Sequence, residues 1–325
     1  MLKKLIAQIV PHSKDASGKS VQARPLLKAT ENKGKKQFSV FGNCQADPLG
    51  SILQTNKDFN DEYDFVPFAQ PAFALRAEHV EQTMAQLANT DVLITQNVSE
   101  KFGVYSTRNL IANLKPGARV IRVPNIYFSG YTPEITYFRA AEPHVTAFCD
   151  YHDANFLKFY FENPATAVKK SVAAYSDETF YSDDFVLTNA HNSLQELRHR
   201  EMDCDVTISD FIQANWQSDV LFYSMNHPKR KLLAHVASQI LQGLSIPSTD
   251  ITGQYEHLDN TKLPVYRSIG KALGTTKSSA IQIKGEAMDI ETYYANHARV
   301  LDGIDQDFLQ KAYQKFLKTS SSGAS

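Results

Sequence analysis

The sequence predicts an α/β fold in which a parallel sheet is flanked by helices and the C-terminal half is more helical. Short apolar runs alternate with segments of helical periodicity between residues 37 and 123. This order and spacing are typical of parallel strands joined by crossover helices. The chain has 325 residues, of which 42% are hydrophobic, and a chain of this size buries most of its apolar surface in a large core.

Each predicted strand is a short apolar run, and each predicted helix has its apolar residues on one face. The strands are predicted at 38–41, 63–68, 91–95 and 118–123, and the helices between them at 48–55, 78–88 and 106–114. The second half has an aromatic segment at 153–162, helices at 192–201, 207–215 and 232–244, a strand at 220–223, and helix within 284–318. We divide the chain into a leader or linker (1–36), an α/β domain expected to carry the site (37–245), and a partly helical C-terminal extension (246–325).

Charge and cysteine content narrow the class of protein. Lys and Arg number 34, and Asp and Glu number 35, so no basic excess favours a nucleic acid partner. The N-terminal apolar run LIAQIV is too short for a signal-peptide core or for stable membrane insertion. Three widely spaced cysteines indicate a reducing compartment. We therefore expect a cytoplasmic protein.

The peptide GNCQ lies between the first predicted strand and the first predicted helix. A helix N-terminus offers unpaired N–H groups and a positive dipole end, which favour a thiolate at Cys44. We expect Gly42 to permit a sharp turn and to leave room for a substrate close to the backbone. Backbone N–H groups, with the amide of Asn43 or Gln45, are candidates to stabilise an oxyanion. The alternative is that Cys44 is a small buried residue in a tight turn.

Two other strand ends should share this rim, because ligands in parallel α/β sheets bind beyond the carboxyl ends of the strands. They carry Gln96 and Asn97 in TQN, and Asn125 and Tyr131 in VPNIYFSGY. Aromatic rings there suit stacking on a sugar or an adenine, although core packing is the better interpretation for Phe128.

A nucleophilic cysteine needs a base. His227 is the first candidate because it follows a predicted strand in SMNHP, and His152 in CDYHDAN is the second. The acid that would orient His227 is not assigned by the sequence. Asp205 and Glu201 in REMDCDV are candidates, and the equal alternative is that both are charges at helix ends. The spacings of Cys and His do not match a structural zinc site, so no metal is expected. The chain also lacks the glycine-rich phosphate loops GxxxxGK[ST] and GxGxxG.

Five motifs in order resemble the WcbI family of polysaccharide biosynthesis enzymes. They are GNCQ, DVLITQN, VPNIYFSGYTPE, ELRHREMDCDVTISDFI and LFYSMNHP, within residues 37–245. The resemblance implies an O-acetyltransferase that uses coenzyme A, as acetyl-CoA, to modify a sugar hydroxyl in capsular or extracellular polysaccharide biosynthesis. It places the family cysteine at Cys44 and the family histidine at His227, and it matches Glu134 within the third motif.

The partners implied are an acyl donor and a sugar or glycan acceptor. Arg122, Lys229 and Arg230 are candidates to contact the phosphates of the donor. The alternatives are an esterase or deacylase acting on glycans, and a non-catalytic protein that binds a glycan or a nucleotide-sugar. We also predict that the pKa of Cys44 is depressed by the helix N-terminus, and that the pKa values of Cys149 and Cys204 are not.

Overall fold

A four-stranded parallel sheet forms the N-terminal half of the molecule. The computed structural model describes residues 34–322, except 139–144, 146, 250, 252, 254 and 276–279. The strands are β1 (Lys36–Phe41), β2 (Tyr63–Phe65), β3 (Val92–Thr95) and β4 (Arg119–Arg122), in the order β2-β1-β3-β4. All three neighbouring pairs are parallel. The predicted parallel sheet is therefore confirmed, with β2 ending earlier than expected.

Helices connect these strands as the periodicity predicts. They are α1 (Ala46–Leu53), α2 (Lys57–Glu62), α3 (Val80–Leu87) and α4 (Thr107–Ala112), with 3-10 turns at Ala77–His79 and Glu100–Tyr105. The helix α2 was not predicted, because KDFNDE buries only Phe59 and so has no apolar stripe. Its start is held by Asn56, whose side chain accepts a hydrogen bond from Phe59 N at 2.9 Å.

The C-terminal half is mainly helical, as predicted. Its helices are α5 (Ala154–Glu162), α6 (Pro164–Ser176), α7 (Asp183–Glu201), α8 (Ser209–Asn215), α9 (Arg230–Gly243), α10 (Arg267–Ala272), α11 (Ile290–Asp302) and α12 (Gln306–Ser322). Three short antiparallel pairs join β5 (Ile135–Thr136) to β6 (His152–Asp153), β7 (Phe222–Ser224) to β8 (His227–Pro228), and β9 (Ile281–Ile283) to β10 (Glu286–Met288). The helix α6 was not predicted, and α7 begins before the expected residue 192.

Both faces of the sheet are covered, because side chains alternate across each strand. Phe38 and Val40 of β1 face a core shared with α1, α7 and α9, whereas Phe41 faces a smaller core with Leu87 of α3 and Leu110 of α4. The predicted arrangement of helices on both faces is confirmed. The carboxyl ends of β1, β3 and β4 consequently open onto one rim.

The segment after residue 245 packs against the rest of the chain. Tyr266, Ile269 and Leu273 are fully buried in the core shared with the sheet. The helices α11 and α12 pack with α5 in a further core. Of the predicted leader, residues 1–33 lie outside the described residues, and Lys36 already belongs to β1. The domain boundary at residue 246 stays a prediction.

None of the helices in the described ranges is long and apolar enough to cross a membrane.

Candidate active site

The turn between β1 and α1 is held by hydrogen bonds among its own residues and by a bond to Gln96, the residue that follows β3. Asn43 N donates to Gln96 Oε1 at 2.8 Å, and Asn43 Oδ1 accepts from Gln45 N at 2.9 Å. Ala46 N donates to Asn43 O at 3.1 Å. Cys44 lies between these anchored residues and is partly exposed. Its N–H donates to no other described residue, so it is a candidate donor to an oxyanion.

Gly42 accommodates a side chain of the protein rather than a substrate. A Cβ atom at Gly42 would lie 2.4 Å from Gln96 Oε1, closer than any real contact of that kind. On the side where a Cβ atom would lie, the space beside Gly42 is therefore taken by Gln96 and not by a substrate. The glycine instead lets the Gln96 carboxamide reach the Asn43 N–H and fix the turn.

Gln45 joins three loops of the rim. Its Nε2 donates to Ile126 O at 2.7 Å and to Asn226 O at 2.9 Å. Its Oε1 accepts from Gln96 Nε2 at 2.9 Å and from Ile126 N at 3.2 Å. All four hydrogen-bonding positions of the carboxamide are used, and the residue is 2% exposed. Gln45 and Gln96 therefore position the site, and the predicted direct contact with substrate or oxyanion is corrected.

Two amides of the rim remain accessible. Asn97 and Asn125 are both exposed. Asn43 Nδ2 donates to Asn125 Oδ1 at 2.8 Å. The amide hydrogens of Asn125, on the other side of the same group, have no acceptor among the described residues. These donors are available to a bound molecule.

The aromatic residues of the third motif belong largely to the core. Phe128 is fully buried, which confirms its interpretation as a packing residue. Tyr131 is 2% exposed, and its hydroxyl bonds to Trp216 O at 2.8 Å and Asp219 O at 2.9 Å. The predicted substrate contact of Tyr131 is therefore replaced by a structural role.

The backbone next to His227 is held at the rim by Gln45. The bond from Gln45 to Asn226 O fixes the backbone next to His227. The rings of His227 and Tyr151 meet edge-on with centroids 6.2 Å apart. Tyr151 in turn donates to Asn226 Oδ1 at 2.5 Å. His227 Nδ1 is buried and has no hydrogen-bond partner among the described residues.

Asp150 is an acid whose negative charge acts on Cys44, His227 and Tyr151. It favours the protonated form of each of the three side chains, so it lies near all of them. The sequence pattern gave no signal for Asp150 and Tyr151, although both lie beside His152 in the peptide CDYHDAN. The segment that carries them is separated from Cys44 by more than a hundred residues, and no periodicity links the two.

The two acids predicted from sequence are engaged elsewhere. Asp205 Oδ2 accepts from Arg122 N at 2.7 Å. Glu201 Oε1 accepts from Ile208 N at 2.6 Å and Ser209 N at 2.8 Å, at the start of α8. Both carboxylates hold the loop beside β4. This agrees with the alternative that they are charges at helix ends, and neither is bonded to His227 among the described residues.

The chain is similar to known proteins of one family. A family model described as polysaccharide biosynthesis enzyme WcbI matches residues 37–249. The chain belongs to the WcbI family. A solved structure of WcbI, described as native protein without a disulfide bond between coenzyme A and one of its cysteines, has a TM-score of 0.70 and 22% identity, and the match covers 86% of this chain and 99% of that one. At this identity the likeness shows the fold alone. Among curated proteins no sequence matches the chain.

Burial sets the protonation of the central pair in this WcbI-family chain. It raises the pKa of Cys44 from 9.0 to about 12, with a further contribution from Asp150. Burial also lowers the pKa of His227 below 6.5, and Asp150 opposes that change only in part. The pair is therefore a neutral thiol and a neutral imidazole at neutral pH. The predicted depression of the Cys44 pKa is wrong, because desolvation of the thiolate outweighs the backbone N–H of the turn.

The other two cysteines behave as predicted. Cys149 is buried in a hydrophobic core, and burial raises its pKa to about 12. Burial, followed by the charges of Glu201, Asp205 and Asp203, raises the pKa of Cys204 to about 11. The second histidine candidate, His152, is buried in β6, where its Nδ1 accepts from Phe138 N at 3.3 Å. It belongs to the core and not to the rim.

The three predicted cations have different neighbours. Arg122 ends β4 and is bound through its backbone N to Asp205. The Lys229 ammonium lies 5.4 Å from the centre of the Tyr223 ring, and Arg230 N donates to a carboxylate oxygen of Glu256 at 2.8 Å. No cluster of three or more His, Cys, Asp or Glu side chains in the described residues is suited to a metal ion.

Glu134 lies below the rim in a fully buried pair with Asp153. Asp153 Oδ2 accepts from the hydroxyls of Tyr294 at 2.8 Å and Tyr266 at 3.0 Å. Neither carboxylate oxygen of Glu134 has a hydrogen-bond partner among the described residues. Burial and the charge of Asp153 raise the pKa of Glu134 well above 4.5. Glu134 is therefore a buried acid whose surroundings favour its protonated form, and it is not exposed to a substrate.

Proposed function

We propose that this protein is an O-acetyltransferase that moves an acetyl group from acetyl-CoA to a sugar hydroxyl in the biosynthesis of a capsular or extracellular polysaccharide. The observation that carries the proposal is that Gln45, next to Cys44 in the turn, is bonded to Ile126 and to Asn226, the neighbour of His227. The charge of Asp150 acts on both Cys44 and His227, which supports placing the three side chains in one site. The solved WcbI structure is described in terms of coenzyme A and one of its cysteines. This supports a donor whose sulfur approaches Cys44.

In the covalent route, the neutral pair acts as a nucleophile with a general base. The sulfur of Cys44 attacks the thioester carbonyl while His227 takes the thiol proton. The bond between carbonyl carbon and coenzyme A sulfur then breaks, and the departing thiolate takes that proton from His227. In the second half, His227 takes the proton of the sugar hydroxyl, the oxygen attacks the acetyl-cysteine, and Cys44 leaves and is reprotonated.

In the direct route, His227 deprotonates the sugar hydroxyl, which attacks acetyl-CoA without an acyl-enzyme. Cys44 then only positions the acetyl group. Both routes place negative charge on the carbonyl oxygen. The N–H of Cys44 and the amide hydrogens of Asn125, which have no acceptor among the described residues, are the donors that suit it.

The donor's phosphates need cationic partners. Lys229 and Arg230 follow His227 after one residue, Pro228, and Arg122 ends the strand that leads into the third motif. We include all three in the proposal as phosphate contacts. Asp150 is proposed to stabilise the imidazolium that forms as His227 accepts a proton.

The test measures release of coenzyme A from acetyl-CoA with and without glycan acceptors, together with the mass of the intact protein. Acceptor-dependent release, lost in Cys44→Ala and His227→Ala variants of unchanged melting temperature, supports the transferase. An added acetyl mass on Cys44 selects the covalent route. Release that is equally fast without any acceptor indicates a hydrolase, and no release under any condition refutes the proposal.

A further inference from the structure

A small pocket opens beside Cys44 on the side of β2. Its volume is about 40 Å³. One wall is the end of β1 and the turn, including Gly42 and Cys44, and the other is the loop after β2. That loop contributes Phe68, Gln70 and Pro71.

We propose that this pocket receives the acyl group of the donor and that Phe68 and Pro71 restrict the donor to acetyl. The inference rests on the proposed acyl transfer and adds the chain length and the residues that set it.

The size of the pocket sets the limit. A water molecule needs roughly 10–15 Å³ of such volume, so about 40 Å³ accommodates roughly three atoms of that size. An acetyl group has three heavy atoms, two carbons and one oxygen. Each added methylene exceeds the available volume, and a butyryl group has two of them.

The outer wall is held against expansion. Phe68 is 7% exposed, and its ring meets the ring of Phe41 edge-on, with centroids 5.1 Å apart. Ala72 N donates to Gly42 O at 2.8 Å. This bond joins the loop after β2 to the first residue of the GNCQ turn. A longer chain would have to displace a packed aromatic ring or break this bond.

The loop also offers a matched control. Phe73 is 58% exposed and does not line the pocket. A Phe73→Ala change removes the same ring from the same loop without altering the pocket. Phe68→Ala and the milder Phe68→Leu enlarge the pocket by different amounts, so a folding defect in one does not decide the result.

The first experiment compares kcat/KM for acetyl-, propionyl- and butyryl-CoA. The wild type should lose about tenfold per added methylene, a typical discrimination for a hydrophobic pocket. Phe68→Ala should accept butyryl-CoA at least about tenfold better relative to acetyl-CoA. Phe73→Ala should keep the wild-type ratios. Equal use of butyryl- and acetyl-CoA by the wild type overturns the inference.

A second experiment needs no catalysis and so separates the inference from the proposed function. Methyl and butyl methanethiosulfonates react with a thiol to give a mixed disulfide and methanesulfinate. Mass spectrometry should show that Cys44 takes the methyl reagent much faster than the butyl reagent, and that Phe68→Ala reduces the difference. Equal rates in the wild type refute the pocket assignment. A size preference in a protein that releases no coenzyme A preserves the pocket and removes the acyltransferase.

Discussion

The alkylation rate of Cys44 tests the protonation state on which the mechanism depends. With a pKa of about 12 in place of 9.0, the thiolate fraction at neutral pH falls roughly 10³-fold. The more basic thiolate is also more nucleophilic, with a Brønsted slope of about 0.4–0.5, which offsets a factor of roughly 16–30. Cys44 should therefore react roughly 30- to 60-fold more slowly than an ordinary thiol.

The assay is iodoacetamide labelling across pH, with mass spectrometry to assign each cysteine. Cys204, with a pKa of about 11 and partial exposure, should react first at neutral pH. Asp150→Asn should speed Cys44 by less than about tenfold, because a nearby negative charge is removed. The matched control Asp203→Asn should speed Cys204 and leave Cys44 unchanged.

The opposite result has a clear meaning. If Cys44 reacts first and its rate levels off below pH 8, the thiolate is stabilised by the helix N-terminus more than burial destabilises it. The sequence-based expectation would then be right, and the neutral-pair mechanism would fail.

The remaining predictions concern the general base His227, the carboxamides of Gln45 and Asn125, and the buried acid Glu134. As pH falls, kcat/KM should decline with a midpoint below pH 6.5, because His227 acts as a base only when it is neutral and its pKa is lowered. A midpoint above 6.5 would contradict the lowered pKa of His227. Asp150→Asn should move the midpoint to lower pH, because the charge that favours the imidazolium is lost. Gln45→Ala leaves several buried groups unpaired and should lower the free energy of unfolding by roughly 2–4 kcal/mol in denaturant titrations, whereas Asn125→Ala should keep the stability and lower kcat. The pKa of Glu134 is raised well above 4.5 in the folded state, so its contribution to stability is present below the unfolded-state pKa and is lost as pH rises above it. Glu134→Gln should flatten this fall in stability with rising pH, and an unchanged slope would show that Glu134 does not cause it.

Much of the fold could be read from the sequence, because strands and helices have local signatures. The short apolar run of β1 and the apolar stripe of α1 are set by neighbours within a few residues. The position of Cys44 at a strand end, and the convergence of other strand ends on one rim, follow from the general geometry of parallel sheets. The helix α2 was missed because its sequence is polar and its start depends on one capping side chain, Asn56.

The roles of the site residues were decided by contacts that no local pattern records. Gln45 looks like an oxyanion donor until Ile126 and Asn226, far along the chain, are seen to occupy its amide. Asp150 approaches Cys44 only through tertiary packing. A pKa depends on how much water the fold removes from around a group. The sequence by itself determined that the strand ends that carry Cys44, Gln96 and Asn125 share one rim. The tertiary structure decided the environment of Cys44 and His227, because burial favours the neutral form of both side chains.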